Sequence, residues 1–129
     1  MLYSRLPWSR VIVSGSVVAR RFRDEGIDAV FVSKGYDDAM LCNTETERDI
    51  PLGFLGSLKS TEYGRRKAFL EHMAAQTGML VTRTESGEDY LHMLNRIRIF
   101  VSADIGMGEF MIKNFEAMAC GCVLLAWSQ

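Results

Sequence analysis

Residues 97–127, IRIFVSADIGMGEFMIKNFEAMACGCVLLAW, form the stretch that decides the fold class of this chain. The run at 97–102 is β-branched and aromatic apart from arginine and serine, a pattern typical of a mostly buried strand. A glycine-rich turn at 104–108 leads into a helical pattern over 109–120, and a second apolar run of strand length covers 122–127. These patterns predict a βαβ unit, and the lack of polar alternation predicts a parallel sheet that is covered on both faces.

The same alternation of strand and helix patterns extends toward the N-terminus. Apolar runs of strand length are found at 50–55 and 79–82, and helical patterns are found at 64–77 and 88–96. A glycine follows several of the helical patterns, as expected at a helix C-terminus. The half of the chain that contains these elements therefore has the predicted order βαβαβαβ, which is a Rossmann-like α/β fold with a parallel sheet.

A smaller unit precedes this half-domain. Residues 11–13 and 27–33 have strand patterns, and a helical pattern over 17–25 separates them. The polar, acid-rich segment 42–49 has little periodicity and predicts a linker. The predicted organisation is the end of one domain, a linker and a second domain, at residues 1–41, 42–49 and 50–129.

Parallel α/β sheets bind ligands beyond the carboxyl ends of their strands, where helix N-termini present free backbone N–H groups. In this chain that place is the turn containing Gly106 and Gly108, together with the start of the helix that follows. Lys113 and Asn114 lie just inside this helix, within reach of a ligand. Glu116 lies on an otherwise apolar part of the helix, so its carboxylate either has a partner in the protein or binds hydroxyl groups.

The signature FEAMACGCVLLAW, with FVSADIGMGEF ahead of it, resembles the donor site of GT-B glycosyltransferases of the group 1 type, and in particular their CgeB-like branch. The resemblance implies that Glu116 binds the ribose of a nucleotide sugar. It also implies that the preceding turn and helix start bind the rest of the donor, through Gly108, Glu109, Phe110 and Lys113. The family's first glutamate position is occupied here by Gly108, and Glu109 follows one place later.

The motif FLGS, followed by GRRK, resembles the opening of a GT-B donor domain. The resemblance places Gly56 and Ser57 in a loop that faces the diphosphate. A cation near the pyrophosphate would stabilise the nucleoside diphosphate leaving group, and Arg65 and Lys59 are the predicted catalytic cations. Spacing alone does not decide among Lys59, Arg65 and Arg66.

The first 41 residues are similar to the last βαβ unit of a GT-B acceptor domain, with a K-G-Y-D turn where the family has P-x-G-x-D. Set against that family, the chain contains only the end of the acceptor domain and most of the donor domain. We therefore expect an incomplete chain. Exposed apolar surface at an incomplete edge predicts self-association into homo-oligomers.

The charge balance gives no electrostatic case for nucleic-acid binding. Of the 129 residues, 48% are hydrophobic and 24% are charged, and the formal net charge is −1. Five arginines precede the first acidic residue, Asp24. This basic edge could face anionic lipid or an anionic donor, although a solvated helix face is the simpler interpretation.

No apolar run approaches the roughly 20 residues of a membrane span, and the N-terminus lacks the apolar core of a secretory signal. We therefore expect a cytoplasmic protein, with peripheral association at the inner membrane face as an open alternative. The three cysteines lack metal-ligand spacing, which predicts no zinc site. Cys120 and Cys122 are predicted to be small core residues.

The resemblance implies a glycosyltransferase, or a fragment of one, that moves a hexose from a nucleotide sugar to a polysaccharide, a lipopolysaccharide or another surface glycan. It implies no bound metal and no other cofactor, since cationic side chains and helix N-termini stabilise the leaving group. The alternative is a non-catalytic nucleotide-binding module or an inactive remnant of that fold. A flavodoxin-like signalling domain would also show βα alternation, but it needs an acidic cluster at the strand ends, and the sequence shows no convincing one.

Overall fold

The computed structural model of the chain describes residues 5, 8–58, 64–103 and 111–127. Helices and strands alternate along them. In chain order they are β1 (Val11–Val13), α1 (Ser16–Asp24), β2 (Ala29–Phe31), β3 (Ile50–Leu55), α2 (Gly64–Thr77), β4 (Leu80–Thr82), α3 (Glu88–Arg96), β5 (Ile97–Ala103), α4 (Ile112–Ala119) and β6 (Val123–Trp127). No helix in these ranges is long and apolar enough to cross a membrane.

The larger sheet contains four parallel strands in the order β4-β3-β5-β6. Leu52 of β3 pairs with Ile99 of β5, and Leu55 of β3 pairs with Thr82 of β4. The first of these strands in the chain is therefore central, and the later ones extend the sheet to either side of it. This arrangement confirms the predicted α/β fold with a parallel sheet. The chain adds β4 on one side of β3 and β5 on the other, so the strand order switches sides between β3 and β5, which is where such sheets bind ligands.

A second, smaller sheet is formed by β1 and β2, which are also parallel. Val11 pairs with Ala29 and Val13 pairs with Phe31. Helix α1 covers one face of this pair through Ala19, which is completely buried. The strand pattern predicted at 27–33 is longer than β2, because β2 has only the three residues of β1 to pair with.

The segment between the two sheets has no helix or strand, but it is bound to the larger unit. Leu41 belongs to the core of that unit. The side-chain amide of Asn95, in α3, donates to Cys42 O at 3.0 Å, and its oxygen accepts from Thr44 N at 2.8 Å. Asn95 is itself buried. The domain division at 42–49 stays a prediction, but this segment is not a free tether.

The core of the larger unit lies between the sheet and its helices. Phe54 of β3 and Phe100 of β5 are completely buried, and their ring centroids are 5.8 Å apart. Leu70 of α2 and Leu94 of α3 are also completely buried. Each fully buried side chain of this size contributes roughly 1.5–3 kcal/mol to stability.

Gly53 allows β3 and β5 to pack closely. A β-carbon at this position would lie 2.8 Å from Cδ1 and 3.0 Å from Cγ1 of Ile97, which is completely buried. We expect Gly53→Ala to lower the free energy of unfolding by about 1–3 kcal/mol, as overpacked cores do. Chemical denaturation measured by circular dichroism would test this.

Gly35→Ala is the matched control for that substitution, because nothing lies within 4 Å of a β-carbon at Gly35. A second substitution, Ile97→Val, removes the atom nearest the new methyl group. The double variant should therefore lose less stability than the sum of the two single variants. Equal losses for Gly53→Ala and Gly35→Ala would contradict the packing argument.

The prediction that both faces of the sheet are covered is wrong at β6. Leu124 packs against the core, but Val123 and Leu125, on the opposite face of the strand, are 64% and 51% exposed. Phe69 of α2 stacks on Trp127, at the carboxyl end of β6, with a centroid distance of 4.6 Å. The start of β6 therefore has an uncovered apolar face.

Candidate functional site

A large open cleft lies at the carboxyl ends of the central strands. Its volume is about 1450 Å³. It is lined by the end of β3, the loop that follows β4, one side of α3 and the start of α4. Its wall is completed by Tyr36, Asp37, Met40 and Leu41. Four of the predicted site residues line this cleft, namely Gly56, Ser57, Lys113 and Glu116.

The other predicted site residues are not brought to the cleft by the described structure. Lys59, Gly108, Glu109 and Phe110 lie outside the described residues. Arg65 is exposed on α2 and is not among the residues that line the cleft. The catalytic roles predicted for Arg65 and Lys59 stay predictions.

Lys113 crosses the carboxyl end of β3. Its ammonium donates to Leu55 O at 2.7 Å. It lies 5.8 Å from the ring centroid of Phe54 and 5.7 Å from that of Tyr90, so two aromatic rings contact the charge. A β-carbon on Gly56 would lie 2.8 Å from this nitrogen, so the absence of a side chain at Gly56 makes room for it. Lys113 is therefore fixed at the floor of the cleft.

Two arginines act on the charge of Lys113. Burial is the largest cause that lowers the pKa of Lys113 below its usual value. The Glu116 carboxylate acts in the opposite direction, and the charges of Arg66 and Arg83 lower the pKa further. The charges of two arginines and of one carboxylate, Glu116, thus act on Lys113. Such a site gains free energy when an anion binds.

Arg66 is the buried cation of helix α2, with only 5% of its surface exposed. Its guanidinium donates to Ser57 O at 3.0 Å and lies 5.4 Å from the centroid of the Phe54 ring. It also approaches the sulfur of Met111 at 3.4 Å. Arg66 therefore links the loop after β3 to the residue that precedes α4.

The sequence contains a signal that could have predicted the burial of Arg66. Arg66 precedes the buried Leu70 by four residues, so the two lie on the same face of α2, whereas Arg65 is turned by about 100°. The sequence signal for Arg83 is weaker. Arg83 directly follows β4, and β4 lies next to β3 in the sheet. A cation at the carboxyl end of β4 therefore lies at the same edge of the sheet as the end of β3.

Tyr90 of α3 faces Lys113 and Glu116 across the cleft. Its hydroxyl is buried and makes no hydrogen bond of ordinary geometry to any described residue. Burial raises the pKa of this phenol, and the neighbouring Glu116 carboxylate raises it further through its charge and through hydrogen bonding. The phenol is therefore neutral and able to donate a proton to Glu116 in a hydrogen bond. The helical pattern at 88–96 indicates only that Tyr90 lies on a helix.

The far end of α4 is held by Arg48, from the segment between the two sheets. Its guanidinium donates to Ile97 O at 2.8 Å, to Leu94 O at 3.2 Å and to Cys120 O. These carbonyls lie at the C-terminal ends of α3 and α4, where a positive charge is favourable. Arg48 thereby joins the two helices that carry Tyr90, Lys113 and Glu116.

Cys120 and Cys122 are buried, as predicted for small core residues. Burial raises the pKa of the Cys120 thiol to about 11 and also raises that of Cys122, so both are protonated at neutral pH. The Cys122 thiol donates to Leu94 O at 3.1 Å. Within the described part of the chain, no group of three or more metal-binding side chains is found.

Compared with known proteins, the chain matches no protein-family model, no curated protein and no solved structure.

Proposed function

We propose that the cleft binds the nucleoside diphosphate part of a nucleotide sugar, and that the chain is a GT-B glycosyltransferase or a fragment of one. The observation that carries this proposal is the approach of three cations, Arg66, Arg83 and Lys113, at the edge of the sheet where parallel α/β folds bind ligands. The acceptor in this proposal is a polysaccharide, a lipopolysaccharide or another surface glycan.

A diphosphate fits this arrangement on chemical grounds. It carries more than one negative charge, and two cations, Arg66 and Arg83, act on Lys113. In glycosyl transfer the diphosphate gains negative charge as the sugar departs, so cations fixed in advance lower the barrier. Lys113 and Arg66 are fixed by hydrogen bonds to Leu55 O and Ser57 O.

Glu116 supplies the second part of the proposed donor site. It lies three residues after Lys113, so both side chains extend from the same side of α4. A carboxylate accepts hydrogen bonds from two adjacent hydroxyl groups, which is the arrangement that a ribose presents. A pyrophosphate at Lys113 and a ribose at Glu116 would therefore follow one another along the helix.

A non-catalytic nucleotide-binding module is the second candidate. Lys113 and Arg66 already donate hydrogen bonds to the protein backbone. A role in binding alone is compatible with these bonds, and this favours the second candidate. Saturable binding of a nucleotide without sugar transfer or donor hydrolysis would support this candidate. The cytoplasmic location and the peripheral membrane contact remain part of the proposal for a full enzyme.

The first test is a calorimetric titration of the chain with UDP, GDP, ADP and TDP. We expect one base to be preferred, and we expect Glu116→Gln to weaken binding of the preferred nucleotide about 10-fold to 100-fold, as the loss of a charged acceptor does. Inorganic pyrophosphate should bind Glu116→Gln at least as well as wild type, because a repelling carboxylate is gone.

Glu71→Gln is the control for this test. Glu71 is exposed on α2, where it pairs with Lys67 at 3.8 Å, and it does not line the cleft. Its substitution should leave all four affinities unchanged. If a chain shown to be folded binds none of the four nucleotides and no pyrophosphate, the proposed function is wrong.

A further inference from the structure

Lys113 and Glu116 are close enough on α4 to form an ion pair with each other. Residues three apart on a helix are neighbours, and a lysine and a glutamate at this spacing normally attract. Nevertheless, the ion pairs found among the described residues are Lys67 with Glu71 and Arg96 with Asp49, and Lys113 with Glu116 is not one of them.

Tyr90 lies where it can separate them. The Lys113 ammonium lies 5.7 Å from the centroid of the Tyr90 ring and donates to Leu55 O on its other side. The Tyr90 hydroxyl is buried and makes no hydrogen bond of ordinary geometry to any described residue. The Glu116 carboxylate is near enough to raise the pKa of this phenol, through its charge and through hydrogen bonding.

We propose that Tyr90 is a positioning residue, which holds the Lys113 ammonium on its ring and the Glu116 carboxylate with its hydroxyl and so keeps the two charges from pairing. Both charges then remain available to a ligand that carries an anionic group beside a pair of hydroxyl groups. The inference deepens the proposed function and rests on it for the identity of that ligand. The separation of charges itself does not depend on the ligand.

Two substitutions distinguish the roles of the ring and the hydroxyl. Tyr90→Phe keeps the ring beside Lys113, so inorganic pyrophosphate should bind within about twofold of wild type. The nucleoside diphosphate that wild type prefers should bind about 3-fold to 10-fold more weakly, because Glu116 loses a hydrogen bond that orients it. Tyr90→Leu removes the ring as well. Lys113 then pairs with Glu116, and pyrophosphate should bind at least about 10-fold more weakly.

The decisive variant is the double substitution Tyr90→Leu with Glu116→Gln. Without a carboxylate to pair with, Lys113 is released, and pyrophosphate affinity should return to within about threefold of wild type. A side chain that only filled space would not give this rescue, because the second substitution does not refill the space. Failure of the rescue, with both variants folded, would overturn the inference.

Two further measurements keep this inference separate from the proposed function. NMR of the lysine ε-carbon, without any ligand, should show a higher pKa for Lys113 in Tyr90→Leu than in wild type, since an ion pair favours the charged form. The double variant should remove that rise. Glu71→Gln, outside the cleft, should change neither the pKa nor any affinity. If no nucleotide binds but the Lys113 pKa changes as described, the proposed function fails and the charge separation stands.

Discussion

Replacing Lys113 with methionine should lower the affinity for the preferred nucleoside diphosphate by about 100-fold. Methionine keeps most of the length and the apolar contacts of lysine but removes the positive charge. A hydrogen bond to a charged group contributes about 1.5–3 kcal/mol, which is about 10-fold to 150-fold in affinity. The upper part of this range applies because the Lys113 ammonium is shielded from water by Phe54 and Tyr90. Isothermal titration calorimetry of both proteins would measure the change.

Lys67→Met is the matched control for this prediction. Lys67 is exposed, pairs with Glu71 and does not line the cleft, so its loss should leave the affinity within about twofold of wild type. Circular dichroism should show that both variants are folded. Lys113→Met loses the hydrogen bond to Leu55 O, which lowers stability. This loss is partly offset because the variant no longer buries a charge. Equal affinities for Lys113→Met and Lys67→Met would place the anion site elsewhere.

The pKa of Lys113 gives the same prediction a pH dependence. Because burial lowers this pKa, Lys113 loses its proton at a lower pH than an exposed lysine, and the affinity for an anion should fall as the pH rises through the lowered pKa. The effect on stability has the opposite sign. The folded state favours the neutral amine. As the pH rises from the folded pKa of Lys113 to its unfolded pKa, the contribution of Lys113 to stability therefore rises. Both effects should be absent from Lys113→Met.

Most of the secondary structure could be predicted because its signals are local. The bounds of α2 and α3 agree with the helical patterns at 64–77 and 88–96, since apolar periodicity and a following glycine or strand mark each helix. Gly121 shows why the final helix stops. Its backbone has a φ of +90°, and a β-carbon there would lie 2.5 Å from the Arg48 guanidinium. Such a position favours glycine whatever the fold.

The site could be predicted only in part. The resemblance of the FEAMACG signature pointed to Lys113 and Glu116, and the structure brings both to the cleft. Arg83 and Tyr90 come from other elements, and only the sheet order and the packing of α3 bring them near Lys113. Sequence spacing contains neither kind of information. Exposure of β6 was missed for the same reason, since it depends on where α2 lies across the sheet.

The largest effect on stability is expected from Arg48→Met. Arg48 is half-buried and donates to three backbone carbonyls, at Leu94, Ile97 and Cys120, and also to the side chain of Asn43. An acceptor left without its donor in a buried place costs about 1–3 kcal/mol, although water can replace some of these bonds at a half-exposed site. We therefore expect a loss of about 3 kcal/mol, or a melting temperature about 10 °C lower.

Arg96→Met is the control, because Arg96 is bound to the same segment but at the surface. It makes a two-pronged ion pair with Asp49, with nitrogen–oxygen distances of 2.9 and 2.8 Å, and both side chains are about half exposed. Surface pairs of this kind contribute little to stability, so the melting temperature should change far less than in Arg48→Met. Arg48→Lys should fall between the two, since an ammonium cannot reach all the carbonyls that a guanidinium spans.

Hydrogen exchange would show whether Arg48 acts on the helices or only on its own segment. In Arg48→Met, the amides at the C-terminal end of α4 and around Asn95 should exchange faster, because the charge that joined α3 to α4 is gone. Arg96→Met should not change them. If the two variants lose the same stability, or if exchange rises only at 42–49, then Arg48 does not couple this segment to the cleft. If exchange in α4 rises, the segment between the two sheets supports the helix on which Lys113 and Glu116 lie.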